Sequence, residues 1–474
     1  MRAPMTDQPP AVKIFFRAGV FVVTIRDFQS SFQPVISDLQ SSTKRMLPYW
    51  VAAALTALFS VFYAKAFAWS EELTFTWRDH NAAWAFLLTP LAMLGSTALA
   101  HFLSPAASGS GIPQLLAAVE ISDQPSPLLQ KILSLRMIVI KFFGSCLCVA
   151  GGGVTGREGP MLQISAGIFH SIQKFWPRVM RGPAPNMQSM ILAGGAAGLA
   201  SAFNTPLGGV IFAIEELAKV HISHIRTYVF HAVIIAGILA QAILGNYIYL
   251  GHIKVETIPV QEVLPLILSA AFIGIMGAIF GRSTVALLDF RAKIPTLQKF
   301  LMTIILGLGV ATIGYFYGSS ALGSGRSVIV NLLTHHDTPT HFSLGFIRAL
   351  TNLMTYAGGV VGGIFAPALS AGAGLGSWLS DLSSGFNHQL WALVGMVAFL
   401  TGVTRTPFTS LILVLEMTDT HDVIIALMIG AIIAQSAARF IDPISFYEHM
   451  SHRLIHGRPP DKRKSGSHFS FNQE

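Results

Sequence analysis

Three short glycine-rich segments hold the residues of this chain best suited to chemistry: Gly109-Ser110-Gly111-Ile112-Pro113, Gly156-Arg157-Glu158-Gly159-Pro160 and Gly362-Gly363-Ile364-Phe365-Ala366-Pro367. Arg157-Glu158 is an ionisable pair in an apolar stretch, where a carboxylate is costly to keep. Such a group reads as part of an ion pathway or proton relay rather than as packing. The glycines beside it let the backbone approach a small ligand, and Pro160 lets a helix begin at that point. Ser110 carries a hydroxyl that could cap a helix or donate to a ligand. A second acidic pair, Glu215-Glu216, interrupts another apolar segment.

The elements that must position these residues are membrane helices. Of the 474 residues, 52% are hydrophobic and 11% charged, where soluble domains carry about 25% charged residues. Apolar runs recur at Leu47 to Trp69, Ala82 to Leu103, Met137 to Val154, Met190 to Ile214, Thr227 to Leu250, Val263 to Phe280 and Phe300 to Gly318, with shorter ones beyond Leu344. Some match the ~20 residues a spanning helix needs. Others, broken by Gly and Pro, read as half-spanning or re-entrant helices. An all-α polytopic membrane protein is expected, with the lipid bilayer as its solvent.

The formal net charge is +8. Lys13, Arg17, Arg26, Lys44 and Arg45 precede the first long apolar run, and Arg453, Arg458, Lys462, Arg463 and Lys464 follow the last. By the positive-inside rule both termini are cytoplasmic and the number of crossings is even; this topology bias accounts for the charge without nucleic-acid binding. Residues 1–46 lack a signal-peptide cleavage site and are expected to form a cytoplasmic or interfacial helix. Residues 455–474 are expected to be a short basic cytoplasmic tail with no room for a folded domain. Cys146 and Cys148 lie in an apolar run and read as core residues. His335, His336, Asp337 and His341 fall in a polar loop with Pro339 and lack His-Glu-x-x-His spacing, so a solvated loop is expected rather than a metal site. No Gly-x-Ser-x-Gly motif occurs. Neither an enzyme nor a resident cofactor is expected.

The chain also repeats itself. Gly194 to Glu215 matches Gly395 to Glu416 at a constant offset of 201, pairing Thr205-Pro206 with Thr406-Pro407 and Glu215 with Glu416. The segment around Glu158 is echoed by the one around Phe365, each followed by Ser-Ala-Gly (165–167 and 370–372). Two membrane repeats are expected, at 47–250 and 251–454. Repeats related by a pseudo-two-fold axis place substrate sites near the bilayer midplane, at broken helices whose N-terminal ends attract an anion.

Together, GSGIP at 109–113, GREGP at 156–160, GIFAP at 363–367 and Tyr447 near the C-terminal end resemble the CLC family of chloride channels and chloride/proton antiporters, from about Leu47 to Leu454. The resemblance implies a fold of two inverted-topology repeats and a homodimer with one anion pathway per subunit. It also implies that the Ser110 and Tyr447 hydroxyls and the Ile364 and Phe365 amides bind chloride, supported by the backbone at Gly109, Gly111, Gly156, Gly159 and Gly363. Neutral donors suit a pore that must also release its ion. Ser445 competes with Tyr447, because Pro443 to Tyr447 is two residues longer than the form common in the family.

By the same resemblance, Glu158 is the gating glutamate, which competes with chloride when ionised and exchanges the external proton. Glu216 stands where proton-coupled members carry an internal acid, favouring exchange over the alternative of a passive channel. Glu215 and Glu416 are expected to make buried structural hydrogen bonds. Serine at position 110 implies chloride preference, where proline implies nitrate. Lys141, Arg348 and Arg157 would raise the local positive potential, and the residues leave open whether Lys141 pairs with Glu120. Without a regulatory domain, a bacterial inner membrane is expected.

Overall fold

The computed structural model describes residues 11–16, 19–123, 126–180, 185–217, 226–245, 248–253, 255, 258–334, 341–382, 386–457 and 460. The expected N-terminal helix is corrected in part. Ala11–Phe16 (β1) and Gly19–Thr24 (β2) pair as an antiparallel hairpin, as suits a stretch containing Val20, Val22, Val23 and Thr24. The first helix then starts at Ile25 and runs without a break to His80, through the expected boundary at residue 46.

In the first half of the chain the helices are α1 (Ile25–His80), α2 (Ala85–Ala98), α3 (Ile112–Glu120), α4 (Pro127–Ile132), α5 (Leu135–Ala150), α6 (Glu158–Met180), α7 (Met187–Phe203), α8 (Pro206–Phe212) and α9 (Arg226–Leu244). The second half holds α10 (Val260–Lys293), α11 (Thr296–Tyr317), α12 (Arg326–Thr334), α13 (Ser343–Ala357), α14 (Phe365–Asp381), α15 (His388–Thr404), α16 (Pro407–Thr418), α17 (Ile424–Ile441) and α18 (Phe446–His456).

Among the described residues, six helical stretches are long and apolar enough to cross a membrane, including Thr43–His80, Val260–Lys293 and Ile424–Ile441. Their outer faces expose large apolar side chains such as Leu268, Phe316 and Phe440. A bilayer accepts such a surface, because backbone polar groups are satisfied within each helix.

Shorter helices fill the interior. α7 and α15 are apolar all round and buried along nearly their whole length, as such helices must be. The apolar run Met190 to Ile214 is therefore two elements, broken at Asn204, which takes a left-handed conformation with φ 59°. Arg405 does the same at φ 64° after α15. Asn186 caps α7 and Asn387 caps α15, each accepting from an amide three residues on. Both pairs carry the offset of 201 found in the sequence. α6 packs on α7 as α14 packs on α15, and α8 meets α16. The fold is a CLC-type arrangement of two inverted-topology repeats with broken and re-entrant helices. Cys146 and Cys148 are free and buried in it.

Candidate anion and proton site

The site lies where the three glycine-rich segments meet. Gly156 and Gly363 form a reciprocal bridge, each amide donating to the other's carbonyl at 2.8 Å. Gly109 donates to the Val360 carbonyl at 2.9 Å and accepts from the Gly362 amide at 3.2 Å. Such close backbone approach requires glycine. A Cβ on Gly159 would meet the Ser110 carbonyl oxygen at 2.8 Å and press on the Ser110 hydroxyl.

Each segment then opens a helix with proline in its first turn: Pro113 in α3, Pro160 in α6 and Pro367 in α14. The first amides of a helix have no carbonyl within it to bond, so those at Ile364 and Phe365 are donors at a positive helix end. Both residues are buried.

Ser110 does not cap α3. Gly111 stands at the cap position with φ 104° and no side-chain cap bond. The Ser110 amide donates to the Tyr356 hydroxyl at 3.0 Å, while its own hydroxyl is fully buried without a protein partner. Tyr447 is equally buried, and its hydroxyl is also unpartnered. Tyr356, Glu216 and Glu158 act electrostatically on that phenol, and the Ser110 hydroxyl lies beside it without meeting hydrogen-bonding geometry. Residues far apart in the chain are thus brought together around it. Its ring stacks on Phe365, with centroids 6.1 Å apart. Ser445 has a different task, capping α18 by accepting from the Glu448 amide at 3.1 Å.

Glu158 opens α6 and is 1% exposed. One carboxyl oxygen accepts from the Tyr249 hydroxyl at 3.2 Å, and the other has no protein partner. Arg157 donates to the Ala202 carbonyl at 3.3 Å. Glu216 is buried in the turn of helix that continues α8.

Lys141 is fully buried and has carbonyl partners rather than an acid, donating to Ala107 at 3.0 Å and Gly109 at 2.8 Å. It therefore holds the backbone on either side of Ser108 directly before Ser110. Arg348 does comparable work in the second half, bonding the Ser370 hydroxyl and the carbonyls of Leu322 and Gly323.

His335, His336, Asp337 and Pro339 lie outside the described residues, as do Arg458, Lys462, Arg463 and Lys464. His341 bonds the Ser343 hydroxyl at 2.6 Å. Among the described residues no group of acids, histidines and cysteines could hold a metal ion. Sequence reasoning missed Tyr249 and Tyr356. No motif surrounds either residue, and only folding brings them to Glu158 and Ser110.

A family model described as "Voltage gated chloride channel" matches residues 91–439. The "H(+)/Cl(-) exchange transporter ClcA" of Cronobacter sakazakii is 30% identical over 444 residues, covering 89% of this chain and 93% of its own. The transporter of the same name from Citrobacter koseri is 28% identical over 424 residues, covering 85% and 87%. A solved structure of "a slow cyanobacterial Cl-/H+ antiporter" has the same fold, with a TM-score of 0.75 at 23% identity, covering 87% of this chain and 99% of that one. The extent of the family match, and a relative this similar along nearly its whole length, mean that the chain belongs to the voltage gated chloride channel family.

Proposed function

We propose that this protein exchanges chloride for protons across a membrane. One observation carries the reading: the buried hydroxyls of Ser110 and Tyr447 make no hydrogen bond within the protein, Tyr447 stacks on Phe365 at the N-terminal end of α14, and the Glu158 carboxyl lies against Gly156 of the bridge that joins these segments. Hydroxyls and helix-end amides supply donors to an anion without a fixed charge that would trap it. In this reading Ser110, Tyr447, Ile364 and Phe365 bind chloride. Glu158 competes with the anion when ionised and yields when protonated, so the two ions are linked through one group. Glu216 passes the proton to the other side. The relatives named as H(+)/Cl(-) exchange transporters support this assignment over passive conduction.

The protein is a transporter and not an enzyme in this reading. It works as a homodimer with one pathway per subunit, built from repeats at 47–250 and 251–454. It lies in a bacterial inner membrane with both termini cytoplasmic, the orientation the basic ends favour.

The test is proton movement into liposomes containing purified protein under a chloride gradient alone, with potassium and valinomycin holding the voltage near zero. Uphill proton transport that is lost in Glu216→Gln is the expected result. Chloride flux without proton movement in the wild type would make the protein a channel and Glu216 a structural residue.

A further inference from the structure

Beside Glu158 lies a cavity of about 330 Å³, lined among others by Lys65, Glu71, Arg157, Glu158, Tyr249 and Arg326. Glu158 belongs both to this cavity and to the site, whereas Ser110 and Tyr447 do not line the cavity. The Glu158 carboxyl is bonded on the cavity side, to the Tyr249 hydroxyl at 3.2 Å, and not to the hydroxyls of Ser110 or Tyr447.

Tyr249 is built to hold that position. It comes from the connection between the two halves, and its neighbours are fixed to the end of α16: Leu250 donates to the Met417 carbonyl at 2.9 Å and Ile253 to the Thr418 carbonyl at 3.2 Å. Arg326, at the start of α12, donates two hydrogen bonds to the Tyr249 carbonyl, at 3.0 and 2.9 Å. Its guanidinium carbon lies 5.0 Å from the Tyr249 ring centroid, and that of Arg157 lies at 6.0 Å. Phe203 meets the ring edge to face at 5.2 Å. Backbone, cations and a neighbouring ring leave the phenol little freedom, so its hydroxyl donates to the Glu158 carboxyl from a preorganised place.

We propose that Tyr249 is a positioning residue for the gate. Its hydroxyl holds the Glu158 carboxyl away from the Ser110 and Tyr447 hydroxyls and thereby sets how strongly that carboxyl competes with chloride. The inference rests on the competition between Glu158 and chloride proposed above. Without the hydroxyl, the carboxylate spends more time on the donors chloride needs, and chloride binds more weakly.

The experiment is a thermodynamic cycle. Chloride binding is measured by calorimetry on purified protein in alkaline buffer, which favours the ionised carboxyl, for wild type, Tyr249→Phe, Glu158→Gln and the double variant. Tyr249→Phe is expected to weaken chloride binding about three- to tenfold, the scale of one hydrogen bond, and to have no effect in the Glu158→Gln background. Undiminished binding in that double variant also shows that phenylalanine leaves the fold intact. An equal loss in both backgrounds, or none in either, overturns the role given to Tyr249 and leaves the transport reading standing. Absence of chloride binding by the wild type overturns both.

Discussion

Glu215 and Glu416, equivalent residues of the two repeats, each cap the start of the helical segment that carries the other. The Glu416 carboxylate accepts from the amides of Leu207 and Gly208 at 3.0 and 2.7 Å. Glu215 accepts from the amides of Phe408 and Thr409 at 3.1 and 2.6 Å, and from the Thr409 hydroxyl at 2.7 Å. α8 and α16 both begin at a proline, which has no amide to satisfy, and their cap residues Thr205 and Thr406 make no side-chain cap bond. A carboxylate from the opposite repeat does that work. Reciprocal contacts of this kind are the mark of a two-fold relation, and the Gly156–Gly363 bridge repeats the pattern inside the site.

The exchange predicts matched losses of stability. Truncating either acid leaves two helix-end amides unsatisfied, so Glu215→Ala and Glu416→Ala should each cost on the order of 2 kcal/mol or more. The midpoint of heat-induced loss of the monodisperse species in detergent should fall for both, and hardly at all for the exposed Glu72→Ala. A normal midpoint in either variant would contradict the capping account.

Lys141 should matter to chloride without touching it. Lys141→Met keeps most of the side-chain volume but leaves the Ala107 and Gly109 carbonyls without their donor, at about 1–3 kcal/mol for each buried group. The backbone before Ser110 loosens, and chloride affinity by calorimetry should drop at least threefold while Lys141→Arg, which still donates, loses less. Equal losses in the two variants would mean that the particular shape of lysine, rather than these two bonds, is what position 141 supplies.

Ser110 decides which anion is preferred. Ser110→Pro removes both the hydroxyl and the amide that bonds Tyr356, and the family resemblance ties proline at this position to nitrate. Paired flux measurements should show nitrate transport gaining on chloride and keeping its coupling to protons. An unchanged ratio of the two fluxes would remove Ser110 from the selectivity role.

The membrane class, the repeat and the three glycine-rich segments were legible in the sequence because each is a local property: mean apolarity over a helix length, spacing along the chain, and residues that permit close backbone approach. Glu158 and Ser110 stood out for the same reason, a polar group beside glycines, whereas Tyr447 was named only through the family resemblance. The break inside Met190 to Ile214 was not read, since apolar composition continues across Asn204, whose left-handed backbone ends α7 before Pro206 opens α8. Residues 11–24 were misread because β-branched residues there outweighed the helical expectation, whereas the helix from Ile25 onward was expected.

Partnership was decided by tertiary structure alone. Nothing near Lys141 in the sequence says that its donors go to carbonyls of the loop holding Ser110. Nor does any motif say that Tyr249, 91 positions from Glu158, is the donor that meets its carboxyl. The sequence determines which groups are costly to bury, through their charge and polarity. Which distant atom offsets each cost depends on how the two halves of the chain close on one another, and that is settled by packing.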